Sequence, residues 1–199
     1  MNLFRRHLRR LARLAWPLAV IIPTVLVSAA ALAANPQAVV KTDLGTIVFE
    51  LYADKAPLSV ANFISYAESD FYNGTIFHRV IPGFMVQTGG LTFDFIKKET
   101  GDAIVNESGN GLKNTKGTIA MARLNHPNSA TSQFFINLND NTHLDATRKQ
   151  PGYAVFGRVI EGMDVVDKIT DEPRGQYRQY RDAPNVPVRI LSVTITAIK

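Results

Sequence analysis

From Ala38 onward the apolar residues come in short runs that alternate with polar ones, and nearly every run ends within a few residues at Gly, Asn, Asp or Pro. Alternation with a period of two marks strands that bury one face, and such short runs cannot supply the helices of a bundle. Ala38 to Leu51 folds back at Asp43-Leu44-Gly45 and reads as a hairpin. Further strand-like runs are Thr75 to Val80, Phe84 to Thr88, Thr118 to Arg123, Gln133 to Asn137, Tyr153 to Ile160 and Val188 to Ile198. Two stretches carry helical spacing instead. Pro57 to Glu68 starts on a proline suited to a first turn and puts Val60, Phe63, Ile64 and Ala67 on one side; Gly162 to Thr170 is the second. The expected fold is therefore mainly β (α+β): an eight-stranded closed antiparallel β-barrel capped by two helices. Two connections, Gly89 to Gly117 and Asn137 to Gly152, are long enough to be functional or mobile.

The first 33 residues follow a different pattern. They hold five arginines (Arg5, Arg6, Arg9, Arg10, Arg13) and no carboxylate, and an uncharged run from Leu14 to Ala34 follows. Basic, then apolar, then small residues is the order of a secretory signal peptide, with Ala31-Leu32-Ala33 as the cleavage pattern. The alternative is a retained membrane anchor, because about 20 apolar residues span a bilayer. The apolar core from Leu14 to Val27 is short and interrupted by Pro17 and Pro23, which favours cleavage. The expected organisation is a signal peptide at 1–33 and one domain at 34–199, exported to the periplasm by the general secretory route and not stably membrane-associated once cleaved.

This division changes the meaning of the charge. A net +5 and a pI near 9.6 would suggest a nucleic-acid partner. Setting the five leader arginines aside leaves 17 basic against 17 acidic residues, so no nucleic-acid partner is expected. The chain has no cysteine, and a domain of this length can bury enough apolar surface without disulfides.

The usual signatures of an exported hydrolase are missing. There is no G-x-S-x-G and no H-E-x-x-H; without cysteine there is no thiol catalysis, and Lys116-Gly117 reverses the order of a phosphate-binding loop. The histidines left after cleavage, His78, His126 and His143, lack metal-ligand spacing, so no metal and no cofactor is expected. What remains is polar and apolar residues interleaved on strands. Alternation pairs Phe77 with Arg79, Met85 with Gln87 and Gln133 with Phe135, which would line one apolar surface with a fixed cation beside it. Alternation alone favours the alternative, with Phe84, Met85, Phe134 and Phe135 as core and Arg79 as a solvated strand residue.

The stretch Phe71-Tyr-Asn-Gly-Thr-Ile-Phe-His-Arg-Val-Ile-Pro-Gly-Phe-Met-Val-Gln-Thr-Gly89 resembles the signature of cyclophilin-type peptidyl-prolyl cis-trans isomerases. The resemblance continues in order through Gly111 to Arg123, Ser129 to Asn137 and Tyr153 to Gly157, and is strongest to the exported, periplasmic bacterial members. It implies an eight-stranded barrel with two helices and an enzyme that turns X-Pro bonds in unfolded or partly folded polypeptides during the folding of exported proteins. By position, the family's catalytic arginine falls on Arg79. Its proline pocket falls on Phe84, Met85, Phe135 and Leu144, and its substrate-backbone contacts on Gln87, Ala122 and Gln133. His78 borders the site as a supporting residue. Three positions depart from the pattern: His143 stands where many eukaryotic members have tryptophan, Tyr153 where they have a histidine near the pocket, and Thr88 where glycine is more usual. Since the tryptophan position influences cyclosporin binding in the family, weak binding of that drug is expected, by a protein expected to be a monomer.

Overall fold

The computed structural model describes residues 35–196; the segment read as a signal peptide, and Ala197 and Ile198 of the last strand-like run, lie outside them. The described strands are β1 (Gln37–Thr42), β2 (Gly45–Leu51), β3 (Arg79–Ile81), β4 (Met85–Thr88), β5 (Thr118–Met121), β6 (Phe134–Asn137), β7 (Val155–Glu161), β8 (Arg174–Tyr177), β9 (Tyr180–Pro184) and β10 (Ile190–Thr196). Two helices, α1 (Pro57–Glu68) and α2 (Met163–Asp171), accompany them. Eight strands form one antiparallel sheet in the order β10-β1-β2-β7-β5-β6-β4-β3, and β8 and β9 form a separate hairpin.

The main sheet has the expected eight strands, with the β8–β9 hairpin additional to them, but its ladder does not close. β10 and β3 are the two ends of the sheet, and the segments leading into them meet at a single bridge between Ile76 and Arg189. There Phe77 N–H donates to the Val188 carbonyl at 3.0 Å and Ile190 N–H to the Thr75 carbonyl at 2.7 Å. One residue further the same register makes His78 and Pro187 a non-hydrogen-bonded pair, whose backbone groups point away from each other. His78 N–H points to the other side, to the Gln87 carbonyl at 3.2 Å. The result is a curled sheet whose margins touch without zipping. This break also corrects the expected pairing of Phe77 with Arg79. The strand begins only at Arg79, and Phe77 joins Val80 in the core.

The core lies on one face of the strands. Val40, Ile47, Phe49, Val80, Val86, Ile119, Phe134, Ile136 and Phe156 point into it, and α1 adds Val60, Phe63 and Ala67 while α2 adds Val165, Val166 and Ile169. Phe63 is the aromatic hub, with ring centroids of Tyr72 at 5.2 Å, Phe134 at 5.4 Å and Phe156 at 5.5 Å. The turn into α2 needs glycine: Gly162 has φ +86°, and a Cβ there would lie 2.3 Å from the Thr46 carbonyl oxygen.

The first turn of α1 has no side-chain cap of its own. Its free N–H groups are met from the long connection, where the Glu107 carboxylate accepts from Leu58 N–H at 2.9 Å and from Ser59 N–H and hydroxyl at 2.7 Å each. The long 89–117 connection is thus tied to α1.

Candidate active site

The neighbouring strands β3, β4, β6 and β5 place Arg79 opposite Gln87, Gln87 opposite Phe135, and Phe135 opposite Ala120. Residues directly opposite share a face of the sheet, so a guanidinium, an amide, a phenyl ring and a methyl form one row across four strands. The row lies on the face away from the core just described. Met85, Ala120, Phe135 and Val155 form a second buried cluster there, with Phe84, Ala122, Leu144 and Tyr153 packed around it.

Between these side chains is a cavity of about 190 Å³. Its apolar lining is Phe84, Met85, Phe135, Leu144 and Ala122; its polar lining is Arg79, Gln87, Arg123 and Tyr153. It is smaller than the roughly 300–1,000 Å³ that holds a drug-sized ligand, and suits a single side chain or ring. Arg79 is exposed, with its guanidinium carbon 6.0 Å from the centre of the Phe84 ring. Gln87 Nε2 donates to Gln133 Oε1 at 2.8 Å, which fixes both amides at the rim. Gln133 itself lines a second depression of about 200 Å³ that continues from the first across Gln87, Ala122 and Arg123.

The three departures from the family pattern each have a structural place. His143 stacks on Phe84 at 5.6 Å, Tyr153 meets Phe135 edge-on at 5.7 Å, and the Thr88 hydroxyl donates to the Ile76 carbonyl at 2.9 Å. His78 is buried behind the rim and does not line the smaller cavity; its Nδ1 has no hydrogen-bond partner. Burial lowers its pKa to about 4, with the Arg79 charge acting in the same direction and the Ile76 carbonyl partly opposing. It is therefore a neutral packing residue at pH 7.

Two features escape a reading of the sequence. Arg123 lines both depressions, lies 4.7 Å over the Tyr153 ring and donates to the Pro151 and Gly152 carbonyls at 3.2 Å each. It closes a block of the motif, but nothing in the alternation marks it. The second is a buried asparagine chain behind the pocket. Asn141 Nδ2 donates to the Phe84 carbonyl at 2.8 Å and to Asn137 Oδ1 at 2.7 Å; Asn137 in turn donates to Thr118 Oγ1 at 2.9 Å and to Asn114 Oδ1 at 3.3 Å. This chain ties the 3₁₀ turn Thr142–Leu144 to the strand end that carries Phe84. Among the described residues, no cluster of three or more acidic or histidine side chains is placed to hold a metal ion.

The family model for cyclophilin type peptidyl-prolyl cis-trans isomerase/CLD matches residues 38–195. The chain belongs to this family. It is an isomerase of X-Pro peptide bonds. A peptidyl-prolyl cis-trans isomerase of Acinetobacter baylyi is 54% identical over 180 residues, covering 90% of this chain and 95% of that one. Peptidyl-prolyl cis-trans isomerase B of Escherichia coli is 49% identical, covering 78% and 96%. Among solved structures, a Cryptosporidium parvum cyclophilin type isomerase crystallised with the dipeptide Ala-Pro superimposes with a TM-score of 0.68 at 26% identity, covering 81% of this cyclophilin and 99% of that chain.

Proposed function

We propose that the cavity beneath Arg79 receives the proline ring of an unfolded or partly folded polypeptide, and that Arg79 is the catalytic residue. The observation that carries this reading is the row Arg79–Gln87–Phe135, which sets a guanidinium without an ion-pair partner among the described residues at the rim of an apolar cavity sized for a ring. The solved relative crystallised with Ala-Pro supports the choice of ligand.

Rotation about an X-Pro amide is opposed by roughly 18–20 kcal/mol because resonance holds the C–N bond planar. No bond is made or broken, so neither a nucleophile nor a proton-transfer pair is required. In the twisted transition state the prolyl nitrogen becomes pyramidal and regains a lone pair, and a guanidinium donor beside it stabilises that form. An acceleration of about 10⁵ needs about 7 kcal/mol of differential stabilisation. One well-placed donor supplies about 3–4 kcal/mol. The remainder comes from desolvation of the ring against Phe84, Met85, Phe135 and Leu144 and from holding the flanking chain at Gln87, Gln133 and the Ala122 backbone.

The same reading makes the protein a folding enzyme of the periplasm, working as a monomer without metal or cofactor. The basic, apolar, small-residue order of 1–33 and the charge balance of the remainder support export. Weak cyclosporin binding follows from His143 at the tryptophan position.

The deciding experiment is Arg79→Ala in a proline-isomer assay. The expected result is a fall in kcat/KM of about a hundredfold or more, in line with the donor energy above, with unchanged circular dichroism. Near-native turnover would discard the assignment.

A further inference from the structure

On the other side of Arg79 the surface opens into a further depression of about 230 Å³. Its walls are His78 and Arg79 on the sheet side and Gln179, Tyr180, Arg181 and Asp182 of the β8–β9 hairpin on the other. Because Arg79 lines both cavities, a chain with its proline in the smaller one brings a neighbouring residue to the larger one.

The hairpin is a built wall. β9 packs along β3, Tyr180 meets the His78 ring edge-on at 5.7 Å, and Ala183 is buried with Ile76, Leu91 and Phe95. Within the hairpin Ala183 and Pro184 are buried and Gly175, Tyr180 and Asp182 half-buried, while Arg174, Gln176 to Gln179 and Arg181 are exposed.

The charges on this depression are unevenly matched. Neither Arg79 nor Arg181 takes part in an ion pair among the described residues. Arg178 follows at the turn, its guanidinium 5.4 Å from the Tyr177 ring centre. Asp182 is the one carboxylate on the lining; Arg79 faces it from the sheet side, and Arg181 stands beside it on the hairpin. A positive, partly walled cleft favours an anionic group.

We propose that this depression is a second binding position for the substrate chain, taking an acidic side chain that flanks the proline, with Arg181 as the residue that selects it. The inference deepens the assignment of the proline to the cavity under Arg79 and rests on it. The contact is solvent-exposed and belongs to the rim, so it tunes choice among substrates and leaves the bond-rotation chemistry to Arg79.

The test is the enzyme-catalysed exchange rate, read by NMR at low salt, for peptides carrying Glu or Lys at each of two positions before and after the proline. The wild type is expected to prefer Glu over Lys by roughly two- to fivefold on one flank only, the size of an exposed ion pair. Arg181→Glu abolishes or reverses the preference, and Lys41→Glu, the same charge change on β1, retains it. Absence of a preference in the wild type overturns the proposal. So does a preference equal on both flanks, or one lost equally in Lys41→Glu, since either reports a long-range field. Arg79→Ala on a neutral peptide separates the two readings: retained turnover there removes the underlying assignment, whereas Arg79 dependence without a charge preference removes only this one.

Discussion

Gln87 and Gln133 are joined by a hydrogen bond of 2.8 Å that spans from β4 to the residue just before β6. The bond uses one N–H of Gln87 and the amide oxygen of Gln133. Gln133→Ala removes the bond together with the contact to substrate proposed for this amide. KM is expected to rise roughly fivefold, the worth of one net hydrogen bond, with kcat little changed. Steady-state kinetics on a single proline peptide check this; a fall confined to kcat would place Gln133 in the chemistry instead.

Asn141 holds the pocket wall from behind, through Phe84 and Asn137. Asn141→Ala leaves buried partners unsatisfied and is expected to cost about 1–3 kcal/mol in urea unfolding. Because Asn141 positions Phe84 and Leu144 without lining the cavity, KM should rise with kcat retained. Loss of stability with unaltered KM would make it a purely structural residue.

The acid side of the stability profile belongs in part to His78. Its folded pKa, about 4, lies below the 6.5 of an exposed imidazole, so the unfolded chain binds the extra proton. Stability is therefore full above about pH 6.5 and falls as pH drops towards 4, by on the order of 3 kcal/mol. His78→Phe, which keeps a ring against Tyr180, should flatten the unfolding free energy across that window. Asp43 acts at lower pH: its hydrogen bonds to Arg189 hold its carboxyl below 3.8, so its contribution is lost only as pH falls past that value. An unchanged slope between pH 4 and 6.5 in the variant would remove His78 as the source.

Glu107 caps α1 from 48 residues away. Glu107→Ala is expected to lower stability by about 1–2 kcal/mol, as the loss of a helix cap does, with kcat/KM retained. Thermal unfolding alongside an activity assay separates the two effects.

The sequence displays what depends on local period and hides what depends on distant partners. Alternation in Met85-Val86-Gln87 and Gln133-Phe134-Phe135 is legible because each strand buries one face in the core and turns the other to the site. It fails at Phe77, which precedes β3, bonds to Val188 across the sheet margin and packs in the core. The β8–β9 hairpin went unread because Arg174 to Tyr177 has no buried residue and therefore no period. The pocket residues could be named through the motif, but the asparagines and Arg123 that hold the pocket are recognisable only once the loops have been folded over one another.

The two faces of β4, β5 and β6 divide folding from catalysis residue by residue. Val86, Phe134 and Ile136 belong to the main core; Met85, Gln87 and Phe135, their immediate neighbours, belong to the groove. A single inserted residue within β4 or β6 would exchange these duties, turning an amide inward and an aliphatic side chain outward. A change of length that keeps both faces intact therefore has to fall in the connections, and the β8–β9 hairpin beside Arg79 lies in such a connection.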